Sequence, residues 1–168
     1  MSSDARSWLR AGRVGRPHGL DGSFYVLAPS PELLHAGATV VVADRELAIV
    51  RRAGTDRRPI VRLEGFEDRD AAVRLRDHDL LVARTQAPAL EEDEWWADDL
   101  EGCAVRDGQA PVGVVNRLLA LPSCEVLEVQ RSDRSGELLV PLVRDAVRTV
   151  DLRRREIDID LRFLGERE

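Results

Sequence analysis

The chain has 168 residues, 43 % hydrophobic and 33 % charged: enough for one mid-sized domain or two small ones, and too apolar for broad disorder. Its net charge of −6, with every cation an arginine, argues against a protein that coats nucleic acid through general electrostatics. Aromatic residues make up only 4 %, so the cores must be built from Val, Leu, Ile and Ala.

The first half reads as short strands separated by turns. Trp8–Val14, Ser23–Ala28, Ala38–Ala43, Leu47–Ala53 and Pro59–Glu64 are β-rich runs. The alternation is clearest from Arg58 to Glu64, with Ile60 and Leu63 apolar and Arg58, Arg62 and Glu64 polar. Between the first two strands lies Gly12-Arg-Val-Gly-Arg-Pro-His-Gly-Leu-Asp-Gly-Ser-Phe-Tyr-Val26, where a Pro-His-Gly turn is followed at once by an Asp-Gly turn. Pro17 fixes its own φ and biases Arg16 towards extended geometry, so this loop holds one backbone shape and reads as a presented surface. Pro29-Ser-Pro-Glu-Leu-Leu34 predicts a helical turn. Glu67–Arg76 predicts one short helix, with Ala71, Ala72 and Leu75 at helical spacing and Asp68 and Asp70 near its N-terminus. Asp79–Ala83 supplies a closing strand, and strands this short and numerous suggest a closed β-barrel.

Pro88 and the acidic run Glu91–Glu94 mark a linker. Strands resume at Cys103–Arg106, Pro111–Leu121, Glu125–Gln130, Glu137–Val143, Val147–Leu152 and Glu156–Leu161. Asp107-Gly108 and Ser135-Gly136 read as hairpin turns, and the last two strands pair across Arg153-Arg154-Arg155. The expected organisation is a first β-barrel over 1–84, an acidic linker over 85–97 and a second β-barrel over 98–168, an all-β chain with one or two short helices.

Enzyme signatures are missing. Without lysine there is no phosphate loop, and neither Gly-x-Gly-x-x-Gly nor Gly-x-Ser-x-Gly occurs. Cys103, Cys124, His18, His35 and His78 show no zinc spacing, so neither metal nor cofactor is expected. His18 reads as a residue that hydrogen-bonds its own turn. No apolar run approaches membrane-spanning length and Met1–Arg6 lacks the apolar stretch of a signal peptide. A cytoplasmic monomer with free thiols is the expectation. Residues 1–84 hold 14 arginines against 12 acids and residues 85–168 hold 11 against 19, so the halves carry +2 and −8. A surface like the second suits a basic protein.

Trp95-Trp96 is the strongest candidate contact. Either both indoles fill the domain boundary, or one packs there while the other faces a partner. Glu91, Glu92, Asp93, Glu94, Asp98, Asp99 and Glu101 surround the pair, with no arginine from 91 to 101. On the first barrel, Arg13 and Arg16 flank the signature turn and offer forks to phosphate. Arg51, Arg52, Arg57 and Arg58 bracket the turn at Gly54 and read as solvated hairpin tips.

The turn segment resembles the opening signature of the ribosome maturation factor RimM family, Gly-x-Ile-x-x-Pro-His-Gly-Leu-Arg-Gly-Glu-Val. Pro17, His18, Gly19, Leu20 and Gly22 match, while Asp21 and Ser23 replace the usual Arg and Glu. Glu94-Trp-Trp-Ala-Asp-Asp-Leu-Glu-Gly-Cys-Ala-Val105 resembles a second family segment through Asp99, Leu100 and Gly102. Pro111-Val-Gly-Val-Val115, Glu137–Val143 and the closing hairpin follow in the family's order. One departure is Leu121-Pro-Ser-Cys-Glu125, where the family often has Gly-Ala-Asn-Asp.

The resemblance implies a six-stranded barrel of the translation-factor type followed by a PRC-barrel. It implies a non-enzymatic assembly factor that binds the head of the small (30S) ribosomal subunit precursor and assists 16S rRNA processing. The implied protein partner is a basic head protein, the nineteenth of the small subunit, met by Glu94, Trp95, Trp96, Asp98 and Asp99. Arg13, Arg16 and His18 would face 16S rRNA. The alternatives are a small flavin-binding reductase with a similar barrel, or a generic PRC-barrel scaffold.

Overall fold

A computed structural model describes residues 7–133 and 136–166, so the first six residues and the Ser135 half of the expected Ser135-Gly136 turn lie outside the described residues. The chain divides into two units between Leu90 and Glu91.

In the first unit, strands β1 (Trp8–Pro17), β2 (Phe24–Leu27), β3 (Thr39–Val42), β4 (Arg45–Thr55), β5 (Arg58–Leu63) and β6 (Asp79–Ala83) form a closed barrel in the order β1-β2-β5-β4-β3-β6. Closure comes from β6, which pairs antiparallel with both β1 and β3. Inward residues alternate with outward ones, so Leu9, Val14, Phe24, Val40, Ile49, Val61, Leu63 and Leu80 are buried inside. On β5 the inward set is Pro59, Val61 and Leu63, which leaves Ile60 half-exposed on the outer face. Hydrophobicity alone paired Ile60 with Leu63; the pleat, with its period of two, does not. Pro31–Leu33 forms a single 3-10 turn. The expected helix is α1 (Arg69–Arg74), capped by the Asp68 carboxylate, which accepts from the Ala71 amide at 2.7 Å.

The second unit is a six-stranded sheet. Its strands are β7 (Ala104–Asp107), β8 (Ala110–Ala120), β9 (Glu125–Arg131), β10 (Glu137–Pro141), β11 (Val147–Asp151) and β12 (Glu156–Ile159), in the order β10-β9-β8-β7-β12-β11. It curls into a half-barrel, and among the described residues its outer strands β10 and β11 are not paired with each other. The turn at Leu121-Pro-Ser-Cys-Glu125 is closed by the Leu121 amide donating to the Cys124 carbonyl at 3.0 Å. β11 and β12 form the expected hairpin, but β12 then runs parallel to β7, a pairing between segments some fifty residues apart that no local pattern announces.

Helix α2 (Ala97–Leu100) brings Leu100 onto a core that includes Cys103, Val105, Leu127, Val129, Val140, Ile157 and Ile159. One charged side chain is buried in this sheet: Glu128 on β9, 3 % exposed. The β8–β9 register slips between Val115 and Arg117, which makes Asn116 an extra residue. Such a bulge breaks the strict alternation of the strand. Both neighbours reach the same carboxylate, Asn116 Nδ2 at 2.6 Å and Arg117 through Nε at 3.0 Å and Nη2 at 2.8 Å. The hydrogen bonds from Arg117 first, then those from Asn116, hold the Glu128 carboxyl below its ordinary range.

Candidate functional site

The acidic segment of the second unit is more ordered than a solvated linker. The Glu94 carboxylate folds back to accept from the Glu91 amide at 2.9 Å, and Asp93 receives Arg144 Nη2 at 2.6 Å. The Trp96 carbonyl takes the amides of Asp99 and Leu100, opening α2 with Asp98 and Asp99 in its first turn. At the other end the Asp99 carbonyl accepts from the Cys103 thiol at 3.2 Å, and the Glu101 carbonyl from Arg155 Nη2 at 2.7 Å. Burial raises the thiol pKa of Cys103, so it is an inert core group.

The two indoles differ. Trp96 is only 9 % exposed, whereas Trp95 is half-buried and packs one side against the second unit's core. Glu91, Glu92, Asp93 and Glu94 are exposed just before it. Arginine from distant sequence partly offsets these acids through Arg144, bound to Asp93; elsewhere in the unit Arg148 bridges Asp107 at 2.8 Å, Asp158 at 3.0 Å and Asp160 at 3.5 Å. The backbone amide of Phe163, and then Arg148, lowers the pKa of Asp160. Three carboxylates around one guanidinium leave that cluster net negative.

In the first unit the signature turn is clamped at both ends. The His18 amide donates to the Ser23 carbonyl at 2.8 Å, and Asp21 Oδ1 accepts from the Ser23 amide at 3.1 Å. Gly22 sits at φ +86°, and a Cβ there would run into the Phe66 carbonyl, so only glycine lets the turn lie against the loop before α1. Asp21 lies 3.4 Å from Arg51 and 3.7 Å from Arg62. Its hydrogen bonds from Ser23, and then the charges of those arginines, lower its pKa.

The histidine does not serve its own backbone as the sequence suggested. Its Nδ1 lies 2.9 Å from the Tyr25 hydroxyl, with the rings edge to face at 5.1 Å, because Tyr25 on β2 brings its hydroxyl over the turn. Arg13 is held by Asp79 at 2.9 Å. Arg16 lies over the Tyr25 ring, 5.0 Å from its centre, and Arg58 lies at 4.4 Å. Sequence reasoning passed over Tyr25. Its signal was available: it is the only tyrosine in the chain, one strand position from the turn's buried Phe24 and therefore on the outer face.

Among the described residues no group of His, Cys, Asp and Glu could hold a metal ion, and no helix is long and apolar enough to cross a membrane.

Comparison with known proteins covers both units. Residues 9–87 match the RimM N-terminal domain and residues 97–163 match the RimM PRC barrel domain. Over 145 residues the chain is 37 % identical to the ribosome maturation factor RimM of Rubrobacter xylanophilus, covering 84 % of this chain and 87 % of that one. It is 34 % identical over 165 residues to the factor of the same name from Frankia alni, covering 89 % and 91 %. With that of Sorangium cellulosum it shares 32 % over 163 residues, covering 92 % and 95 %.

Proposed function

The chain belongs to the RimM family of ribosome maturation factors, and from that premise we propose that it binds the precursor of the small (30S) subunit and assists 16S rRNA maturation in the subunit head. The family is non-enzymatic, which leaves no role for the flavin-reductase alternative. A factor of this kind works by binding one folded intermediate better than its competitors, which shifts the population with no covalent step. It would act as a monomer in the cytoplasm, where subunits are built.

The observation that carries the reading is the division of charge, +2 over residues 1–84 against −8 over residues 85–168, with the half-buried Trp95 beside the acidic segment. A basic ribosomal protein of the head, the nineteenth of the small subunit, would be met by Trp95 and the carboxylates of Glu94, Asp98 and Asp99. Acidic complementarity of this sort sets encounter rate and partner choice more than affinity. Trp96, being buried, supports the segment and offers the partner little area. The first unit would lie near rRNA, with Arg16 the most available of the three turn residues Arg13, Arg16 and His18.

Trp95→Ala should weaken co-sedimentation with small-subunit precursors by at least about tenfold, the cost of losing an aromatic anchor. Its melting curve must be recorded alongside, because the indole also packs against the core. A folded Trp95→Ala protein that co-sediments like wild type would remove this surface from the mechanism.

A further inference from the structure

On the outer face of the first unit lies a groove of about 410 Å³, lined among others by Arg16, Tyr25, Arg57, Arg58, Arg76 and Asp77. Its cations come from three places in the sequence. Arg16 is on β1, Arg57 and Arg58 are at the β4–β5 hairpin, and Arg76 follows α1. Four arginines and one aspartate line it.

Elsewhere in this unit Arg13 pairs with Asp79, Arg51 and Arg62 with Asp21, and Arg52 with Asp56, while Arg45 lies over the Phe66 ring and Arg69 donates to the Gly19 carbonyl. Arg16, Arg57, Arg58 and Arg76 are set apart by lining a single groove. Among the described residues none of them lies within ion-pair distance of a carboxylate. Two of them instead share one aromatic ring, at 5.0 and 4.4 Å from the centre of Tyr25. Like charges gathered on one ring repel each other, so the cluster gains most from an anion that both can reach. The Tyr25 ring is held in place by the His18 contact to its hydroxyl, which fixes where the two forks sit. Beside the cations the groove is apolar, with Leu27 51 % exposed and Ala28 and Pro29 next to it.

We propose that this groove binds the phosphodiester backbone of an unpaired RNA strand. Arginine forks receive phosphate oxygens bidentately, and the Tyr25 and Leu27 side gives sugars and bases an apolar surface. A duplex keeps its base faces stacked inside and would leave that surface unused. The inference rests on the reading that the first unit works beside rRNA, and it assigns the contact largely to Arg76 and to Arg57 and Arg58, which sequence alone marks as solvated hairpin tips.

The test uses the full-length chain and a labelled, unstructured twelve-nucleotide RNA, free and as a duplex, with anisotropy read at several salt concentrations. Arg57→Gln/Arg58→Gln/Arg76→Gln should lower single-strand affinity at least tenfold. It should also flatten the plot of log affinity against log salt by about 2, at roughly 0.7 per lost phosphate contact on a single strand. Tyr25→Leu should weaken binding while changing the salt slope less, and Arg153→Gln/Arg154→Gln in the second unit should change neither. Unchanged RNA binding by the triple variant overturns the proposal, as does an equal loss on duplex, or competition by polyglutamate as effective as by RNA. Co-sedimentation of wild type with small-subunit precursors is run in parallel. If wild type fails to co-sediment, the parent reading falls; if it co-sediments and only the triple variant behaves as wild type on RNA, the groove alone falls.

Discussion

In the first unit β6 pairs with both β1 and β3 and the sheet returns on itself, whereas in the second, among the described residues, β10 and β11 each have one neighbour and the sheet stays open. Closure removes the edges that would otherwise seek another strand. Leu33, Leu34, Phe66 and the α1 residues Ala71 and Ala72 complete the barrel's buried core, and the arginines around Tyr25 stand outside that core. The open sheet needs other elements to complete its core, and Leu100 of α2 is one of them, four residues from Trp96 and five from Trp95. Binding surface and core are therefore separable in the first unit and share one segment in the second. Mutations should tell the two apart.

The largest effect is expected at Leu100, which is completely buried beneath the tryptophan segment. Leu100→Ala should cost about 2–5 kcal/mol in stability, by the usual penalty for truncating a core leucine. Denaturant unfolding followed by tryptophan fluorescence measures it. Because α2 carries Asp98 and Asp99 and follows Trp95, precursor binding should fall with stability. The arginine variants of the first unit should keep their unfolding midpoint while RNA binding drops. A Leu100→Ala protein that is destabilised yet binds precursors at full affinity would break the claimed sharing of core and surface.

A smaller, pH-dependent effect is expected at Glu128. Its folded pKa lies below the ordinary value of 4.5, so the stabilisation is fully present above that value and is lost as pH falls through the folded one. Wild type should lose melting temperature steeply below pH 4.5. Glu128→Gln should start lower at neutral pH, since Arg117 and Asn116 lose their charged acceptor, and should then fall less on acidification. Asp21 offers the matching probe in the first unit, lowered by Ser23, Arg51 and Arg62. Asp21→Asn should flatten the acid limb by a smaller amount, because its carboxylate is nearly half exposed and screened. Parallel acid limbs for wild type and Glu128→Gln would show that the buried network does not govern acid stability.

Much of this could be read from the chain, for reasons that also explain the rest. The strands carry their own alternation and the turns their own Gly, Pro and Asp residues, so twelve strands and α1 were visible locally. Helix α2, four residues inside an acidic run, is too short for a period to appear. The open second sheet and the parallel β7–β12 pair depend on meetings between distant segments. The same is true of the sites. The Trp95-Trp96 pair is contiguous and stood out, but the groove draws on residues 16, 25, 57, 58 and 76, each unremarkable in its own stretch. His18 was misplaced because its partner Tyr25 lies across the turn, where no spacing rule points.

The finest probe of the contrast is the pair between Arg144 and Asp93, whose side chains are 88 % and 50 % exposed. An ion pair so solvated contributes well under about 1 kcal/mol, so Arg144→Gln should leave the melting curve almost where it was. It does, however, release the Asp93 carboxylate next to Glu94 and Trp95 and make an acidic face more acidic. If that face steers a cationic protein, association should become modestly faster at low ionic strength, and the gain should vanish in high salt as the charges are screened. Stopped-flow mixing with the isolated basic head protein measures both limbs. A slower association at low salt would mean that Arg144 itself touches the partner, and the acidic segment would then be a bystander to recognition.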